Sequence, residues 1–175
     1  MVMEKGLRNR YNKTLDFVQK HLSSNSAVLD LGTRNAFSEI LENNGFSVQN
    51  TQGENLDIDY SKYIDCDIDA VCAFEIFEHM LAPFNILKEF KTKKLVASVP
   101  LKLWFASAFW NEEDDWAKHY HEFEKKQFDF LLGKSGWEIK DSQTWISSNW
   151  KKVGIRPFLR HFTPRYYIVY CERKT

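Results

Sequence analysis

Apolar residues recur at three- and four-residue steps near the start of the chain, at Leu7, Tyr11, Leu15, Val18 and Leu22, and the spacing predicts an amphipathic helix over residues 6–22. Ser23-Ser24-Asn25-Ser26 is its exit, so residues 1–26 form an N-terminal helical segment. Val28-Leu29-Asp30-Leu31-Gly32 then reads as a buried strand closing on an acid and a glycine. A helix opens near Phe37 and stops at Asn43-Asn44-Gly45, where glycine is a natural helix end. The alternation in Phe46-Ser47-Val48-Gln49-Asn50-Thr51 predicts a second strand, and Ile68 to Phe74 a third.

Only Gln52 to Asp69 separate those last two strands, too few residues for a full crossover helix with loops, so the second crossover is abbreviated. Pro83 to Phe90 predicts a short helix with Pro83 in its first turn and Phe84, Leu87 and Phe90 toward the core. Leu95 to Val99 is another buried strand, stopped by Pro100. Helical spacing returns at Phe123, Phe128, Leu131 and Leu132 and stops at Gly133. Trp137-Glu138-Ile139 and Tyr166 to Cys171 predict two closing strands that pair antiparallel. The whole is an α/β fold in one domain, 1–175, with a single open sheet, mostly parallel and with an antiparallel C-terminal strand.

Residues 101–122 break the pattern. Trp104, Phe105, Phe109, Trp110 and Trp116 surround Glu112-Glu113-Asp114-Asp115, an insert that is either a satellite core or a lid over a pocket.

The 24 basic and 24 acidic residues balance, so no global charge draws nucleic acid or an acidic membrane surface. Locally, Glu54 to Glu78 carries eight acids against Lys62, and Lys151 onward carries seven bases against Glu172. Solvated faces or ligand contacts both account for such blocks. Cys66, Cys72 and Cys171 lack metal-ligand spacing and read as free, buried thiols of a reducing compartment. With no signal-peptide core and no run near the roughly 18 apolar residues of a membrane span, the expectation is a cytoplasmic protein without a membrane partner.

Asp30-Leu31-Gly32 sits where an open α/β sheet binds nucleotide-like ligands, because glycine admits close backbone approach and the next helix offers N–H groups. Asp30 as a turn or capping acid is the alternative. Ala73-Phe74-Glu75 ends the third strand in the same way.

In this order the landmarks resemble the class I S-adenosylmethionine-dependent methyltransferases, particularly the type 11 group and the ubiquinone-biosynthesis O-methyltransferases. Val28 to Gly32 matches the first glycine motif, and Glu75-Ile76-Phe77-Glu78-His79 before Pro83 matches the motif after the fourth family strand. Val96 to Pro100 is similar to the fifth strand, and His121-Glu122-Phe123 to Gly136-Trp137 to the run before the sixth. The resemblance implies a Rossmann-like sheet and S-adenosylmethionine as cofactor. It further implies a cofactor site at Asp30, Gly32, Thr33, Asn35, Glu54, Phe74 and Glu75, with Asp30 accepting from the methionine ammonium. Arg34 and Ala36 stand where the family has glycines. Arg34 either fills the cofactor's place or points outward. No acid directly follows the second strand, so Glu54 is the ribose acid shifted along or the adenine-side acid.

Glu75, Glu78 and His79 share one face at helical spacing, and His119 and His121 alternate. His79 or His121 suits a general base for hydroxyl methylation. The set also resembles the metal site of RNA 3′-terminal 2′-O-methyltransferases, which implies Glu75, Glu78, His79 and His121 as ligands of Mg or Mn. Capping by Glu78-His79 and a carbonyl contact by His121 is the metal-free alternative. Three readings follow: a methyltransferase of an unidentified small-molecule or polar substrate acting on oxygen or nitrogen, a degenerate binding or scaffold module, and a metal-assisted RNA-end enzyme using Lys151, Lys152, Arg156, Arg160 and Arg165. Oligomeric state is not legible.

Overall fold

The computed structural model describes residues 5–146 and 154–174. Six strands form one sheet in the order β2-β1-β3-β4-β6-β5. β1 (Ala27–Asp30), β2 (Ser47–Asn50), β3 (Ala70–Phe74) and β4 (Lys94–Pro100) run parallel. β6 (Pro164–Arg173) lies antiparallel between β4 and β5 (Trp137–Ile146). Helices α1 (Lys5–His21), α2 (Ala36–Asn43), α3 (Pro83–Glu89), α4 (Lys125–Lys134) and α5 (Ile155–Arg160) complete the order.

Because side chains alternate across a strand, the central strands feed two cores. Val28, Ala70, Cys72 and Val96 pack with Phe17 and Val18 of α1 and Phe37 and Leu41 of α2. Leu29, Val71, Ala73, Leu95 and Ala97 pack with Leu87 of α3, Phe128 and Leu132 of α4, and Trp137. Leu29 is fully buried, so its truncation to Ala costs about 2 to 5 kcal/mol. The second crossover is short as expected, containing only the 3-10 turn Ser61–Tyr63.

Several expectations need correction. Phe84 faces solvent at 38% exposure, and Ile86 takes its place inside. α4 runs through Gly133 to Lys134, and the chain turns at Gly136 with φ +91°. β5 continues to Ile146, since as an edge strand it needs few apolar positions beyond the buried Trp137 and Trp145. Pro100 ends β4 from within, because the pairing of β3 with β4 stops at Phe74–Ser98 and no sheet donor is required there. Cys66 is only half-buried. The 101–122 insert forms no satellite core: Trp104, Phe109, Trp110 and Trp116 are exposed. Lys151 and Lys152 lie outside the described residues. Among those described, no helix is long and apolar enough to cross a membrane.

Candidate functional site

β1 delivers Asp30 to the carboxyl edge of the sheet, and the chain then turns at Gly32 with φ +107°. A Cβ there would press on Ile76 Cδ1, the movable end of a side chain, at 3.0 Å, so it is the backbone angle that demands glycine. The Gly32 N–H donates to Thr51 Oγ1 at 2.7 Å, tying the turn to the end of β2.

The start of α2 is less open than expected. Asn35 caps it, accepting from the N–H groups of Phe37 at 2.8 Å and Ser38 at 3.4 Å, so these donors are already used. Ser38 returns a capping bond and donates from Oγ to Asp30 Oδ2 at 3.0 Å. The Asn50 amide donates to the same oxygen at 3.1 Å. Burial pushes the Asp30 carboxyl up to about 6, against the opposing pull of those two hydrogen bonds.

Arg34 points away. Its guanidinium spans the Glu42 carboxylate with contacts of 2.6 and 2.5 Å at the surface. Asn50 holds the end of β2, where the resemblance calls for an acid, and is turned inward to Asp30. Glu54 is anchored by Lys62, by Tyr63 Oη at 2.8 Å and by the Gln52 N–H at 2.8 Å. The Lys62 ammonium beside it holds its carboxyl down to about 2. Asp57 accepts from the N–H groups of Leu81 and Ala82 at 2.8 and 2.7 Å.

Glu75 sits in the left-handed region at φ +59° where β3 gives way to the 3-10 turn Phe77–His79. It accepts from Ser98 Oγ at 3.0 Å and meets Arg10 of α1 at 3.5 Å. Burial raises its carboxyl above the usual range. Glu78 is 1% exposed, and its Oε2 has no hydrogen-bond partner among the described residues. Burial, then the neighbouring Glu75, pushes it well above ordinary carboxylates.

His79 Nδ1 lies 3.0 Å from the Lys118 carbonyl, and its Nε2 lies 3.8 Å from Glu78 Oε1. As Nδ1–H donor to that carbonyl, the ring keeps Nε2 as an acceptor. His119 packs edge-on to His79 with ring centroids 4.9 Å apart. Burial holds both histidines below their usual range, and His79 further depresses His119.

The seven residues expected at a cofactor, Asp30, Gly32, Thr33, Asn35, Glu54, Phe74 and Glu75, all line one cavity of about 570 Å³. That volume suits a small organic ligand. His79 lines it too; His121 does not, its Nε2 facing the Leu81 carbonyl at 3.3 Å. Of the four expected metal ligands, Glu78 and His79 come together, with His119 in place of Glu75 and His121. Ligating atoms of Glu78, His79 and His119 lie within 4.8 Å of one another. Arg10, Tyr11, Thr14, Asp57 and Ser98 also line the cavity and were missed in the sequence, and Trp116, from the insert read as a satellite core or a lid, lines it too. The amphipathic spacing of α1 was the only signal for the first three.

No family model and no curated protein matches the sequence. Solved structures do. A Methanosarcina mazei S-adenosylmethionine-dependent methyltransferase aligns over 90% of this chain and 97% of its own, at 14% identity and TM-score 0.63. The Haloferax volcanii chain solved in complex with the Trm112 methyltransferase activator aligns over 98% and 93%, at 14% identity and TM-score 0.65. The N-terminal domain of EvdMO1, solved with S-adenosylhomocysteine bound, aligns over 94% and 81%, at 12% identity and TM-score 0.55. With its sheet order, its glycine turn after β1 and these neighbours, the chain has the fold of the class I S-adenosylmethionine-dependent methyltransferases.

Proposed function

We propose that this chain, as one domain over 1–175, is an S-adenosylmethionine-dependent methyltransferase of a small-molecule or polar substrate. The observation that carries this reading is the convergence of Asp30, the Gly32 turn and Glu54 on one cavity at the carboxyl edge of β1 and β3. The residues present fit the cofactor: Asp30 is an acid for an ammonium, Gly32 and Gly53 leave room beside the backbone, and Glu54 is an anchored acceptor for hydroxyls. When bound, the cofactor supplies an electrophilic methyl group, which an oxygen or nitrogen lone pair of the acceptor takes as the carbon–sulfur bond breaks and its electron pair stays on sulfur.

The protein's part is to hold the acceptor in line and remove its proton. His79 suits the second task, being on the cavity wall, neutral at pH 7 and carrying its free lone pair on Nε2. Trp116 and the 101–122 insert serve as a lid. Binding of S-adenosylmethionine by calorimetry tests the reading, and a chain that binds neither it nor its demethylated product is instead a scaffold module.

A second reading is favoured by one observation, the Glu78, His79 and His119 cluster with its unpartnered Glu78 Oε2. Two imidazoles and a carboxylate suit Mn²⁺ or Zn²⁺ better than Mg²⁺. The Lys118 carbonyl would orient His79 from behind, as such partners do for metal-binding histidines. Such an ion would lower the pKa of an acceptor hydroxyl at the cavity wall.

A further inference from the structure

α5 lies in the connector between β5 and β6, outside the cavity. β6 pairs antiparallel with β4, with Pro100 opposite Tyr166, so residues 154–163 lead into β6 at the end of the sheet that also carries the cavity. Its apolar side chains face water: Ile155 is 80% exposed, Phe158 63% and Phe162 71%. Spaced three and four residues apart, they share one side, with the Phe158 and Phe162 rings 5.2 Å apart. Arg156 and Arg160, one turn apart, are exposed beside them. The sequence from Ser142 to Cys171 holds five Lys and Arg and no acid.

We propose that this tip is a peripheral docking surface for an anionic lipid bilayer. Apolar side chains on one side flanked by arginines match the interfacial boundary, where apolar groups enter the acyl region and guanidinium groups meet lipid phosphates. Ile155, the most exposed of the three, has no ring with which to stack a nucleobase, which sets lipid above nucleic acid as the occupant. The overall charge balance does not oppose this, because a bilayer meets only the local surface within a Debye length of about 8 to 10 Å.

The experiment is co-sedimentation of the full chain with phosphatidylcholine vesicles, with and without about 30% phosphatidylglycerol, at low and high salt. The expected result is binding that needs the anionic lipid and falls with salt. Joint Ile155→Ser, Phe158→Ser and Phe162→Ser substitution lowers the partition coefficient about ten-fold or more. Arg156→Ala and Arg160→Ala each lower it about five-fold. All these side chains are exposed, so circular dichroism and melting serve as a folding check. No pelleting with anionic vesicles, equal pelleting with neutral ones, or pelleting indifferent to the serine variant overturns the proposal. So does tighter binding to a single-stranded RNA oligomer that depends on the arginines alone.

Discussion

Arg34 and Glu42 form a two-pronged surface pair at 2.6 and 2.5 Å that carries the arginine away from the cavity. The large residue in the glycine motif therefore leaves only its backbone near the ligand site. Arg34→Ala is expected to leave S-adenosylmethionine affinity unchanged by calorimetry. A gain in affinity would mean that the side chain obstructs the site.

Gly32 is the opposite case, since its φ of +107° strains any L side chain and a Cβ would also press on Ile76 Cδ1 at 3.0 Å. Gly32→Ala should cost about 1 to 3 kcal/mol of stability in denaturant unfolding and weaken cofactor binding as well. Wild-type stability and affinity in the variant would show that the turn relaxes freely.

Asp30 makes the site sensitive to pH. Its carboxyl rises from 3.8 to about 6 on folding, so the folded state holds this proton more tightly than the unfolded state. The associated stability is fully present below 3.8 and is lost as pH rises through about 6, a change of about 3 kcal/mol. An ammonium ligand needs the ionised form, so cofactor affinity should increase as pH rises through about 6. Asp30→Asn should flatten that profile and lower affinity about 10- to 100-fold, the worth of a charged hydrogen bond. A variant as tight and as pH-dependent as wild type would remove Asp30 from binding.

The histidines separate by position. Titration with Mn²⁺ or Zn²⁺ should detect a site that His119→Ala and Glu78→Gln abolish, while His121→Ala keeps it. Loss on His121→Ala alone would restore the ligand set implied by the sequence.

Legibility in the sequence followed how local each cause was. β1, β3 and β4 were readable because parallel strands buried on both faces are unbroken apolar runs. Seven residues of β5 were hidden, since an edge strand needs little apolar sequence. The cavity wall at Asp30, Gly32 and Glu54 was legible because each lies beside a strand end. Arg10 was not, because it reaches Glu75 across 65 residues of sequence. The choice between His119 and His121 was equally hidden. There the Glu78 carbonyl accepts from the N–H groups of both Tyr120 and His121, long-range backbone contacts that local spacing does not show.

Calorimetric titration of the full chain with S-adenosylmethionine and S-adenosylhomocysteine, at pH 7.5 and again at pH 5, is the most direct test of the cavity. Binding of both at one site, weaker at pH 5 and abolished by Asp30→Ala, is the expected result. Absence of binding at millimolar ligand, from a chain that melts cooperatively, would contradict the methyltransferase reading and leave a scaffold with that fold.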